Sequence, residues 1–247
     1  MTTLMLLPGL MCDAAVWTPL LPALQAHAQC HVVAYGLRNS LTTMAAQVLD
    51  EAPTERFALA GHSMGGRVAM EVMRLAPQRV ERLALMDTGT HPLPAGEAGE
   101  RERAGRMTLL EQARIQGMRA MGQQWAKGMV HPRRLTTPVF EDILQMLERS
   151  NPAQFEAQIN ALLGRCDSAP QLATITCPTL VLCGREDSWS GPAQHEAMYG
   201  ALTHLGNQAT LRIIEDCGHM CTMEQPGAVG EALNEWLLGK LVRIETK

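Results

Sequence analysis

Hydrophobic residues fall along this chain in short unbroken runs bounded by glycine or proline, each followed by a longer segment of helical period. The runs at 3–7, 31–35, 57–61, 82–87, 178–183 and 210–214 predict strands. Phe57-Ala58-Leu59-Ala60 and Thr179-Leu180-Val181-Leu182-Cys183 lack polar alternation, so they suit strands covered by helices on both faces. Helices are expected over 14–27, 41–51, 64–76, 192–204 and 226–239, with Pro77 at a stop and Pro226 at a start. Strand and helix in alternation predict an α/β protein with a mostly parallel sheet of about six strands flanked by helices. Between the fourth and fifth strands the pattern changes. Residues 91–175 carry charged, Met-rich stretches of helical period near 99–128, 136–149 and 152–164 and no credible strand. The expected organisation is a core of 1–90 and 176–247 interrupted by a helical cap at 91–175.

Composition removes several functions. The 247 residues carry a net charge of −4 with aromatics at only 4%, and no basic run occurs, so nothing favours nucleic acid. No uncharged apolar stretch of about 18 residues exists, so no membrane-spanning helix is expected. Met1-Thr2-Thr3-Leu4-Met5-Leu6-Leu7 lacks a positive flank and runs into Pro8-Gly9, so it reads as a strand and not a leader. Seven cysteines are an odd number without zinc or CxxC spacing, which points to free thiols in a reducing cytoplasm.

The chemistry begins after the third strand, at Gly61-His62-Ser63-Met64-Gly65-Gly66. A serine on a tight strand-to-helix turn projects alone at the carboxyl end of a sheet, and the flanking glycines let the two elements approach. With 21 glycines and six serines in 247 residues, chance supplies about 0.04 such Gly-x-Ser-x-Gly matches. A nucleophilic serine needs a base and the base an orienting acid. His219, in Glu215-Asp216-Cys217-Gly218-His219-Met220 after the last strand, is the candidate base; His62, beside the nucleophile, must point away from it. Asp187, in Gly184-Arg185-Glu186-Asp187 after the fifth strand, is the candidate acid, with Glu186 and Asp87 as alternatives. Backbone N–H groups of Leu10, in the loop Leu7-Pro8-Gly9-Leu10, and of Met64 are assigned to an oxyanion hole.

These segments resemble the α/β-hydrolase superfamily, small serine hydrolases with a helical cap. Gly61–Gly66 matches its nucleophile elbow, Gly184–Asp187 its acid loop and Gly218-His219 its histidine loop, over about 1–90 and 176–240. Two features depart from the family: Pro8-Gly9 stands where His-Gly is usual, and the initial hairpin is reduced or missing. The resemblance implies hydrolysis through an acyl-enzyme on Ser63, with no metal or organic cofactor. Substrate contacts are expected from Met11, Cys12, Trp189 and Met220, and the Met-rich insertion suits small to medium, mostly uncharged esters. The arginines at 101, 103, 106, 114 and 119 read as a solvated helix face, an anionic substrate being the alternative. Lactone or enol-lactone hydrolysis, C–C bond hydrolysis, and a ligand-binding receptor with a retained triad remain open on the same residues. The expected partner is a small-molecule ester, with neither nucleic acid nor membrane, and a homodimer is compatible with the chain.

Overall fold

The computed structural model describes residues 1–204 and 206–240; Leu205 and positions 241–247, the end of the expected core segment, lie outside them. One sheet holds β1 (Thr2–Leu7), β2 (Ala28–Val32), β3 (Phe57–His62), β4 (Val80–Met86), β5 (Thr179–Gly184) and β6 (Ala209–Ile214). Their order is β2-β1-β3-β4-β5-β6, every neighbouring pair parallel. All six residues of β3 and of β5 are buried, as the continuous apolar runs require. The chain starts inside the sheet, steps outward to β2, then crosses back over β1 to β3. The order therefore reverses between β1 and β3, and beyond their carboxyl ends opens the crevice where such sheets take ligands.

The helices are α1 (Leu21–Leu24), α2 (Leu41–Glu51), α3 (Met64–Leu75), α4 (Glu97–Gln116), α5 (Met118–Trp125), α6 (Pro138–Glu148), α7 (Pro152–Leu163), α8 (Pro192–Thr203), α9 (Cys221–Glu224) and α10 (Pro226–Leu237). Helices α4 to α7 form the insertion between β4 and β5. Local signals set their ends. The Ser40 hydroxyl caps α2 by accepting from Thr43 N, and Asn151 caps α7 by accepting from Gln154 N ahead of Pro152.

Three expected elements differ. The second strand lies at 28–32 rather than 31–35, because it is an edge strand whose half-exposed Gln29, Cys30 and His31 hide it from a search for apolar runs. The expected helix 14–27 is a 3-10 turn at Ala14–Val16 and the single turn α1, since Pro19 and Pro22 cannot donate backbone hydrogen bonds. The long stretch 99–128 breaks at Gly117, whose φ of 87° ends α4 and redirects the chain into α5.

Candidate active site

Ser63 sits between the end of β3 and the first turn of α3 with φ 55° and ψ −118°. That left-handed conformation is costly for a serine and persists only where its surroundings enforce it. The enforcement is close packing. A Cβ on Gly61 would overlap the Gly65 carbonyl, and one on Gly65 would overlap the carbonyl of Leu7 in β1. Thr88, just beyond β4, donates its hydroxyl to Ser63 O at 2.7 Å, and buried His195 fixes Thr88 by accepting from its N–H at 3.2 Å. His195 gave no sequence signal, because its partner lies 107 positions away.

The structure brings Ser63, His219 and Asp187 together. Ser63 Oγ lies 2.8 Å from His219 Nε2, and His219 Nδ1 lies 2.9 Å from Asp187 Oδ2. A carboxylate only accepts, so Nδ1 carries the proton and Nε2 is free to accept from the serine hydroxyl. The other oxygen, Asp187 Oδ1, accepts from Trp189 N at 2.8 Å and Ser190 N at 3.0 Å. Burial opposes the Asp187 charge, but His219 and these backbone donors outweigh it and hold the carboxyl well below the usual carboxylate range. Burial likewise opposes a charged His219, yet Asp187 lifts its pKa above the ordinary 6.5.

The alternative acids stand elsewhere. Glu186 Oε2 accepts from Cys217 N, and Asp87 Oδ1 accepts from Gly184 N, each at 2.9 Å. Burial, reinforced by Asp187, pushes the Asp87 carboxyl well above the usual carboxylate range. His62 points away from Ser63 and donates Nε2–H to His219 O at 2.8 Å; burial lowers its pKa to about 4 and keeps it neutral.

Ser63 and His219 open into a cavity of about 510 Å³ whose wall includes Leu10, Cys12, Met64 and Trp189. Met64 opens α3 and Leu10 follows β1, and both line the cavity beside the serine. The Leu10 loop is pinned by the insertion: Met11, strained at φ 59°, donates its N–H to buried Gln158 of α7 at 2.7 Å. Trp189, 38% exposed, stacks on Trp125 at 5.5 Å and lies 5.0 Å from the His219 ring. Met11 and Met220, expected in the pocket, do not line it. Met220 is fully buried, and Met11, in a left-handed turn, lines a separate cavity together with Val33 and Tyr35. Burial pushes the Cys12 thiol up to about 12, so it offers no thiolate beside the serine. Cys217 is buried and lies outside that wall.

The histidine loop has an anchor that the sequence did not betray. Buried Glu224 Oε1 accepts from Gly218 N and Met220 N at 3.1 Å each, and Oε2 accepts from His131 N of the insertion at 2.7 Å. His219 N itself donates to Met129 O at 2.7 Å. Glu224→Gln turns one acceptor into a donor facing donors. It is expected to cost about 2 kcal/mol in denaturant unfolding, within the range for an unsatisfied buried group. By loosening the base it should also lower kcat about 10-fold, the lower end of what losing a partner that orients a metal-ligating histidine costs. Unchanged kcat alongside the lost stability would make Glu224 a fold anchor only.

Part of the wall is cationic: Arg67, Arg101, Arg106 and Arg165 line the cavity with Glu102. Arg106, expected on a solvated face, turns inward, whereas Arg114 and Arg119 pair outside with Glu156, Glu141 and Glu148. Among the described residues no group of three or more His, Cys, Asp or Glu is arranged to hold a metal ion, and no helix is long and apolar enough to cross a membrane.

A model described as "Alpha/beta hydrolase family" matches residues 4–232. A 2-hydroxy-6-oxononadienedioate/2-hydroxy-6-oxononatrienedioate hydrolase of Escherichia coli K12 is 26% identical over 231 residues, covering 86% of this chain and 72% of that protein. A thermophilic esterase from Thermogutta terrifontis, solved with malate bound, superposes with a TM-score of 0.85 at 26% identity, covering 97% and 90% of the two chains. The enol-lactonase of Burkholderia xenovorans LB400 shares the fold, with a TM-score of 0.78 at 21% identity, covering 96% and 92%.

Proposed function

The chain belongs to the alpha/beta hydrolase family, and from that premise we propose that it is a serine hydrolase cleaving carboxylic esters of small to medium size through an acyl-enzyme on Ser63. The observation carrying this reading is the unbroken hydrogen-bond chain from Ser63 Oγ through His219 to Asp187, at 2.8 and 2.9 Å, on the wall of an open cavity.

His219 Nε2 takes the hydroxyl proton as Ser63 Oγ bonds to the ester carbonyl carbon, and the Leu10 and Met64 amides hold the oxyanion. Asp187 stabilises the imidazolium and keeps it oriented. Collapse breaks the ester C–O bond, and His219 returns the proton to the departing alkoxide, which leaves as an alcohol. Water then gives a proton to His219 and its oxygen attacks the acyl carbon. The acid leaves and Ser63 regains its hydrogen. In this scheme α4 to α7 act as a cap that roofs the acyl-enzyme.

The E. coli relative, named as a hydrolase of a hydroxy-oxo dioate, favours one second reading: hydrolysis of a carbon–carbon bond beside a ketone by the same residues. A ligand receptor with a silent triad would bind without turnover.

Ester turnover carries a pH signature. His219 must be neutral to accept a proton, and Asp187 raises its pKa above 6.5, so activity is lost as pH falls through that value. With p-nitrophenyl butyrate, kcat/KM is expected to rise through one ionisation with a midpoint above pH 6.5. A flat profile removes His219 as the base. No hydrolysis from acetate to decanoate esters, with a fluorophosphonate still attaching to Ser63, moves the reading to the carbon–carbon or lactone substrate. No attachment removes the serine nucleophile.

A further inference from the structure

The cationic wall of the cavity holds more positive charge than the protein neutralises. Glu102 of α4 is fully engaged: Arg165 grips it with two parallel bonds of 2.8 and 2.7 Å, and Arg106 donates to it at 3.0 Å. Two guanidiniums thus share one carboxylate. Arg67 is the one left over. Among the described residues it makes no ion pair, and it donates from Nη1 only to the carbonyl of His91, at 2.9 Å. Burial and the nearby charge of Arg165 pull its pKa down to about 10, against the smaller opposing pull of Glu102.

Its position ties this charge to the reaction. Arg67 lies in the first turn of α3, directly after the Ser63 elbow, and it lines the same cavity as Ser63. Gly89 leaves space there, since a Cβ on it would stand 3.2 Å from Arg67 Nη2. Leu109, Trp125, Phe155 and Leu162 add an apolar stretch to the wall. A cavity with a nucleophile, an unpaired guanidinium and hydrocarbon walls fits a short methylene chain that ends in an ester on one side and a planar anion on the other.

We propose that Arg67, supported by Arg106 and Arg165, forms a carboxylate subsite, and that the substrates are esters bearing a free carboxylate on their acyl chain, the monoesters of short dicarboxylic acids being the simplest. This rests on the serine-hydrolase reading above and replaces the expectation of mostly uncharged substrates. Because Arg67 belongs to the core and Arg106, Arg165 and Glu102 to the insertion, a bound carboxylate also ties the cap to the sheet. Arg165 Nε and Arg67 Nη1 already share the His91 carbonyl.

The test compares monomethyl glutarate and monomethyl adipate with isosteric methyl esters in which an isopropyl group replaces the carboxylate, following the acid released. The parent is expected to favour the carboxylate esters in kcat/KM by about 30-fold or more, within the range of charge-assisted hydrogen bonds. Arg67→Met should reduce that ratio on the order of 30-fold, and Arg67→Lys should retain part of it. A parent ratio near unity, or one indifferent to Arg67→Met, overturns the subsite. If Arg67→Met does not fold, inhibition of the parent decides: glutarate should compete with p-nitrophenyl butyrate at least about 10-fold more tightly than butyrate, and equal inhibition overturns the proposal. The two readings fail separately. Isostere turnover without preference sinks the subsite and leaves the esterase. Absence of all ester turnover, with glutarate still raising the Tm of Ser63→Ala, sinks the esterase and leaves the subsite.

Discussion

Ser63→Ala is expected to lower kcat for p-nitrophenyl butyrate about 10⁶-fold, to a residue of rate supplied by binding and the oxyanion amides alone. The loss is this large because His219 Nε2 has no other acyl acceptor to activate. The hydroxyl 2.8 Å away is its one side-chain partner on that nitrogen, and the Cys12 thiol on the same cavity wall keeps its proton. The substitution removes one atom and keeps the Cβ, so the strain at φ 55° is unchanged and the Tm should hold. Stopped-flow and steady-state release of p-nitrophenol measure it, and a variant within 100-fold of the parent would place the nucleophile elsewhere.

Asp187→Asn should cost about 10⁴-fold in kcat with the fold intact. The geometry dictates the reason. Trp189 N and Ser190 N both donate to Oδ1, so the asparagine must place its carbonyl oxygen there and its NH₂ where Oδ2 stood, 2.9 Å from His219 Nδ1. That nitrogen must then accept, the ring proton moves to Nε2, and Nε2 donates to Ser63 instead of taking its proton. The pH profile should lose its single rise as well. A near-normal rate would transfer the role to Glu186 or Asp87.

What was legible in the sequence was what is local. The elbow Gly61–Gly66 declares itself because a strand, a strained serine and two space-saving glycines occupy six consecutive positions. Asp187 and His219 were legible because each follows a strand by a few residues, and parallel strands deliver such loops to one edge. Contacts across the insertion were not. Gln158 reaches Met11 over 147 positions, Arg165 reaches Glu102 over 63, and Glu224 reaches His131 over 93. No periodicity encodes such pairs, so Arg106 looked like part of a solvated face. The edge strand β2 was displaced for a different reason: half-exposed strands need fewer apolar residues. Met11 and Met220 were misplaced because sequence neighbours of a site residue need not share its cavity; Met11, in its left-handed turn, lines a separate one.

The bonds from His219 N to Met129 O and from His131 N to Glu224 make the insertion part of the scaffold of the base. An insertion without such bonds could be exchanged like a cartridge. In this molecule the cartridge is stitched to the machine. An exchange that kept α4 to α7 but altered the backbone path through 129–131 would change the rate for every substrate at once. Drift within the helices, away from that stitch and from Gln158, would change only which substrates are accepted. Mutational tolerance along the insertion should therefore be sharply uneven, and the stretch open to reshaping selectivity is the helical wall, not the short seam that follows α5.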